Sequence, residues 1–177
     1  MELKSTRQGD GAVNDFKPAA DDFTLLVLGA DGLDRIAPLW EKLNQLHASQ
    51  DSPFAGQYQS QTFAHRKAEL LAKAAVAPLR LVVARDARNA RLLGYCVSTA
   101  QTGGTGEVES LFLDSECRGK GLGEALIQDA LLWMDSIGVS KKKIAVYAGN
   151  EQVLGFYSKF GFQTRYLILE KADQNGA

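Results

Sequence analysis

The sequence predicts an α/β fold with a mixed central sheet, its elements running β-α-α-β-β-β-α-β-α-β. Three features point there. Short apolar runs alternate with stretches of three-and-four apolar spacing, the periods of strands and helices. Two strand-like runs flank a short polar turn, as in an antiparallel hairpin. A strand, a glycine-rich turn, a helix and another strand then follow in close succession, which implies a parallel, right-handed crossover.

Residues 1–20 mix glycine, aspartate, asparagine and proline with scattered apolar side chains, too few to offset the entropy of ordering. They read as a mobile lead-in to a single domain over 21–172. Phe23 to Leu28 is a short apolar run ended by Gly29, Ala30, Asp31 and Gly32, a buried first strand and its turn. Leu33, Ile36, Trp40, Leu43 and His47 give an amphipathic helix over Leu33 to His47. Pro38 is tolerated in its first turn, or the helix begins close to that residue. A polar, turn-rich segment from Ala48 to Ser60 leads to a second helix over Gln61 to Val76, and the pair forms a natural lid over a substrate cleft.

Leu79 to Arg85 and Leu92 to Thr99 read as the hairpin, and Gly103, Gly104 and Gly106 turn the chain into a third strand, Glu107 to Leu113. Strict alternation in that strand places Glu107, Glu109, Leu111 and Leu113 on one face and Val108, Ser110 and Phe112 on the other. Leu122, Leu126, Ala130, Trp133 and Ile137 mark a helix stopped by Gly138, and Ile144 to Ala148 reads as the next strand. Asn150 caps a short helix carrying Val153, Phe156 and Phe160, and Phe162 to Glu170 forms a last strand before a frayed tail from Lys171 onward.

Between the third strand and its helix, Arg118, Gly119, Lys120, Gly121, Leu122 and Gly123 form an anion cradle. Free amides at a helix start favour phosphate, glycine permits close backbone approach, and the two cations add charge for a pyrophosphate. The spacing is not the G-x-x-x-x-G-K-[ST] of mononucleotide-binding loops, and antiparallel strands precede it. A composition of 45% hydrophobic and 23% charged residues with a net charge of -1 gives no general attraction to nucleic acid or anionic membrane. Cys96 and Cys117 lack metal-ligand or disulfide spacing, no segment reads as a signal peptide or membrane span, and a cytoplasmic location is expected.

Taken together, Glu109, Ser110, Leu111, Phe112 and Leu113, the turn from Arg118 to Gly123, then Asn150, Phe156, Tyr157, Phe160, Gly161 and Phe162 resemble the GNAT superfamily of acyl-CoA-dependent N-acetyltransferases. The resemblance covers roughly Arg80 to Glu170. It implies acetyl-CoA as acyl donor without a metal, its pyrophosphate on the Arg118 to Gly123 amides and its pantetheine arm paired with the backbone at Leu111, Phe112 and Leu113. It also implies that the sheet splays between that strand and the next, that Asn150 hydrogen-bonds the pantetheine, and that Tyr157 protonates the departing sulfur. Glu109, or Glu107 on the same strand face, accepts the proton of the amine. The acceptor implied is a small-molecule or protein amine, with no nucleic-acid or membrane partner, and a homodimer stays open. The competing reading is a non-catalytic acyl-CoA-binding or sensing domain. The remaining polar residues have plainer expectations: Cys117 a surface thiol, His47 packed, His65 exposed toward an acceptor, and the Lys141 to Lys143 run a solvated turn.

Overall fold

The computed structural model describes residues 23–171, so the expected lead-in over 1–20 and the tail beyond residue 171 lie outside the described residues. The chain forms a five-stranded sheet in the order β1 (Phe23–Leu28), β2 (Leu79–Asp86), β3 (Leu92–Ala100), β4 (Thr105–Leu113) and β5 (Lys141–Ile144). The first four strands are antiparallel neighbours and β5 joins β4 in parallel. Both faces are covered, which explains why β2 and β3 read as near-continuous apolar runs. On one face α4 (Leu122–Ser136) brings Leu126, Ile127, Ala130 and Met134 onto Val82, Ala84, Cys96 and Val108. On the other, α1 (Ala37–Ala48) and α3 (Phe63–Ala74) lay Leu39, Trp40 and Leu70 on Leu81, Val83, Tyr95 and Val97.

A bulge in β4 sets the rest of the architecture. Val97 pairs with Ser110 but the next residue, Ser98, pairs with Val108, leaving Glu109 as an extra residue without a partner. The face assignment therefore changes parity. Glu107 and Glu109 share a face, as expected, and point toward α3, but Leu111 and Leu113 pack with Val108 under α4, while Phe112 lies on the α1/α3 face. Simple alternation missed this because a period of two carries no signal for one inserted residue.

Several boundaries differ for physical reasons. Leu33 and Ile36 belong to a 3-10 stretch, Ala30–Ile36, and α1 begins at Ala37 with Pro38 in its first turn, where the missing N–H costs nothing. The turn-rich segment holds a short helix, α2 (Ala55–Gln59), and Thr62 caps α3 by accepting from the His65 amide at 3.2 Å. The Lys141 to Lys143 run is not a solvated turn but β5 itself: Lys143 pairs with Glu107 at 3.0 Å and Lys142 with Asp135. Asn150 precedes a 3-10 turn and α5 (Leu154–Ser158) without capping through its side chain; the Glu151 carboxylate instead accepts from the Gly149 amide at 2.9 Å. Cys117 is buried against α4 rather than on the surface. The last strand of the expected β-α-α-β-β-β-α-β-α-β order is not formed. β5 is only four residues long and the chain leaves the sheet after Ile144; 162–171 forms no strand, and Tyr166 to Leu169 are exposed.

Candidate active site

The site exists because β4 outruns its parallel neighbour. Pairing stops at Val108 and Ile144, after which β4 continues to Leu113 while residues 145–147 diverge. The gap is a cleft of about 330 Å³, walled by Ser110 and Leu111 on one side and Val146 and Tyr147 on the other, and roofed by α1, α2 and α3. This is the splay expected between the two strands. The Asp114 amide bonds the Leu93 carbonyl, so strand alternation turns the backbone groups of Leu111 and Leu113 away from β3, toward the open side. Phe112 by the same alternation faces β3, so the free edge is offered by Leu111 and Leu113.

At the far end of β4, Ser115–Cys117 form a 3-10 turn held by the Asp114 carboxylate on the Ser115 amide at 3.0 Å, and the chain then enters α4 through the glycine turn. Gly119 and Gly121 have φ of 73° and 79°, in the left-handed region that only glycine adopts freely, and these two twists leave the first amides of α4 unpaired. Arg118 and Lys120 are exposed beside them. Gly123 serves a different purpose: a Cβ there would stand 3.2 Å from Leu113 Cδ1 and 3.4 Å from the Phe156 ring, so its absence lets α4 close against β4 and α5. The turn thus combines exposed cations with outward amides at the end of the free strand edge, a fit to an extended ligand ending in phosphate.

Asn150 and Tyr157 both line the cleft. Tyr157 is buried, its ring edge-on to Phe156 at 5.1 Å and to Phe162 at 6.1 Å. Burial, with a smaller contribution from Cys96, pushes its phenol above the ordinary value, so the hydroxyl keeps its proton. That hydroxyl makes no hydrogen bond to any described residue, yet it is not an enclosed unsatisfied group, so it opens into the cleft as an uncommitted donor.

Glu109 is held very differently. Its side chain is 2% exposed, Lys73 Nζ lies 2.6 Å from both carboxylate oxygens, Thr99 donates at 2.6 Å and Arg66 at 3.2 Å. Arg66 also donates to the Glu109 carbonyl at 3.1 Å, a backbone group that the bulge exposes. Burial pushes the Glu109 carboxyl up, but the hydrogen bonds from Lys73 and Thr99 and the charges of Lys73 and Arg66 outweigh it and hold the group below the usual carboxylate value. Glu107 lies outside this cleft and pairs with Lys143 and, at 3.6 Å, Lys73.

Two features of the site escaped the sequence. Arg66 and Lys73 lie two helical turns apart on α3, a cationic stripe that was legible in principle but had no partner until the fold supplied Glu109. The second is an aromatic cluster at the cleft mouth, where His47, Tyr58 and Tyr147 meet at 4.9 to 5.3 Å between ring centroids. His47 is packed, as expected, and burial lowers its pKa, keeping it neutral. No local pattern joins residues so distant in sequence. His65 also lines the cleft, with Nε2 3.4 Å from Glu69. Among the described residues no group of histidine, cysteine, aspartate or glutamate is arranged to hold a metal, and no helix is long and apolar enough to cross a membrane.

A model of the Acetyltransferase (GNAT) family matches residues 40–162. Mycothiol acetyltransferase of Propionibacterium freudenreichii is 34% identical over 87 residues, 48% of this chain and 28% of that protein. The chain spans less than half the length of the curated relatives it matches. Among solved structures, a Trypanosoma brucei acetyltransferase superposes with a TM-score of 0.60 at 24% identity, over 85% of this chain and 99% of the other. The PaiA N-acetyltransferase of Thermoplasma acidophilum, in complex with coenzyme A, gives 0.61 at 16% identity, over 80% and 91%. These two likenesses are of fold.

Proposed function

The chain belongs to the GNAT acetyltransferase family, and from that membership we propose that it is an N-acetyltransferase moving the acetyl group of acetyl-CoA to a primary amine by direct attack in a ternary complex. The observation that carries the reading is the uncommitted Tyr157 hydroxyl, opening into the cleft that forms where β4 and β5 part. Direct attack needs a neutral amine, a polarised thioester carbonyl and a proton for the departing sulfur. Tyr157 holds a proton it can give. The free edge at Leu111 and Leu113 supports an extended pantetheine arm, Asn150 a hydrogen bond to it, and the turn of Arg118, Gly119, Lys120, Gly121, Leu122 and Gly123 its pyrophosphate. Glu109 takes the amine proton in this reading, and no enzyme-bound acyl intermediate is needed.

The acceptor is a small-molecule or protein amine entering beneath α1 to α3. We place the enzyme in the cytoplasm as one domain over 21–172, a setting suited to two free, buried cysteines. The test is thiol release from acetyl-CoA with a panel of amines: spermidine, tobramycin, L-lysine and a peptide with a free N-terminus. Release dependent on one amine, with a matching acetylated product, supports the reading. Thermal stabilisation by CoA without release across the panel favours the non-catalytic acyl-CoA-binding domain.

A further inference from the structure

The surroundings of Glu109 set a difficulty for a proton acceptor. Protonating this carboxylate discards its attraction for Lys73 and Arg66 and leaves two cations facing a neutral acid at the bulge. The step becomes feasible if one partner gives up a proton as Glu109 gains one. Arg66 does not, because a guanidinium stays protonated throughout the ordinary pH range. Thr99 is buried and uncharged, and its hydroxyl has no surplus proton to pass on. Lys73 has both the chemistry and the access. Its side chain is 42% exposed, and it contacts both Glu109 oxygens.

Access has a defined route. Glu109 borders not only the main cleft but also a second opening of about 230 Å³, which Lys73 lines together with Thr99, Gln101, Thr105 and Glu107. The carboxylate therefore stands between the chamber where an amine binds and a separate water-accessible space. Lys73 faces Glu107 and Glu109 of β4; Glu107 in turn holds Lys143 of β5, and Arg66 reaches Glu109 from the same helix as Lys73.

We infer that Lys73 relays the proton of the acceptor amine from Glu109 to water in the second opening. This rests on the acetyltransferase reading above. As the amine nitrogen attacks, its proton passes to a Glu109 oxygen; Lys73 releases one Nζ proton to water, and the Glu109 proton moves to Nζ. One proton leaves the substrate, one enters solvent, and the carboxylate and ammonium are both restored. Lys73 acts through Glu109 and is a positioning and relay residue.

Lys73→Arg separates relay from charge, since arginine keeps the cation and its hydrogen bonds but does not release a proton. Steady-state rates are read across pH with acetyl-CoA and the amine of the panel that gives most thiol release, and retained thermal stabilisation by CoA serves as the fold control. The relay requires Lys73→Arg to lose about 10-fold or more in kcat where the acceptor is chiefly ammonium, with the loss shrinking as pH approaches the pKa of the amine. Should Lys73→Arg disturb the fold, Lys73→Ala is read instead, and added imidazole should restore part of its rate; no restoration overturns the relay. A parent-like rate and pH profile in Lys73→Arg overturns the relay but leaves Glu109 as base if Glu109→Gln is slow. Full rate in Glu109→Gln overturns both roles, and absence of thiol release with every amine overturns the function and the relay together.

Discussion

Tyr157→Phe is expected to slow acetyl transfer by about 10- to 1000-fold, the scale of one lost general acid, while leaving the fold almost untouched. The contrast follows from how the side chain is held. The residue is 8% exposed, and its ring supplies edge contacts to Phe156 and Phe162, all of which phenylalanine keeps. Its hydroxyl makes no hydrogen bond to a described residue, so removing it breaks no protein contact and strands no partner. The stability change should stay within about 1 kcal/mol, or roughly 2–4 °C in Tm for a chain of this size. Because burial, then Cys96, raises the phenol above its ordinary 10.0, the parent should show no loss of kcat from Tyr157 deprotonation below pH 10. The assay pairs thiol release at saturating acetyl-CoA with a thermal melt of the same preparation. An unchanged kcat would show that the sulfur takes its proton from water or from the acceptor. A large fall in Tm would show that the hydroxyl is structural after all.

CoA at about 100 times its dissociation constant should stabilise the parent by about 2.7 kcal/mol. Gly121→Asp, which sets a carboxylate at a position with φ of 79°, should abolish that shift in a thermal melt, and a shift equal to the parent's would remove the turn from the binding site. Glu109, whose folded pKa is depressed, contributes stability that is complete above its ordinary 4.5 and is lost as pH falls through the folded value. Acid unfolding of Glu109→Gln should accordingly be flatter than that of the parent below pH 4.5, and parallel curves would contradict the ion pairs with Lys73 and Arg66. His47, likewise depressed, binds its proton more readily in the unfolded chain, so the parent should lose stability as pH drops from about 6.5 toward the folded value. His47→Phe should remove that limb, as judged by denaturant midpoints between pH 7 and 5; an unchanged limb would mean that the imidazole is solvated.

The sheet core and the glycine turn were legible because both rest on local rules. Apolar runs ended by turn residues located β1 to β4, and glycines just ahead of a helix pattern pointed to the turn whose left-handed residues are Gly119 and Gly121. Cys117 and the three lysines were misjudged for a common reason: local composition reports average exposure, whereas a buried thiol and a lysine-rich edge strand are decided by what packs against them. The failed last strand shows the same limit from the other side. Phe162 to Glu170 has strand composition, but a strand needs a neighbour with free backbone groups, and composition does not say whether one is present. At the site, Tyr157 and Asn150 were placed by motif, while the state of Glu109 depended on Lys73 and Arg66, more than thirty residues earlier in the chain.

The bulge at Glu109 binds the interior and the chemistry to one another. Suppose that Glu109 were kept and β4 ran straight, without the bulge. Ser110 and Phe112 would swap faces with Leu111 and Leu113, placing a hydroxyl beneath α4 and two leucines on the face covered by α1 and α3. Substitutions can tune this strand one position at a time, but a residue lost beyond the bulge, between Ser110 and Leu113, shifts core and cleft wall together. Scanning deletions along the chain should therefore find Ser110 to Leu113 far less forgiving than Glu109 itself or the turn over residues 86–91, where a lost residue only shortens a loop.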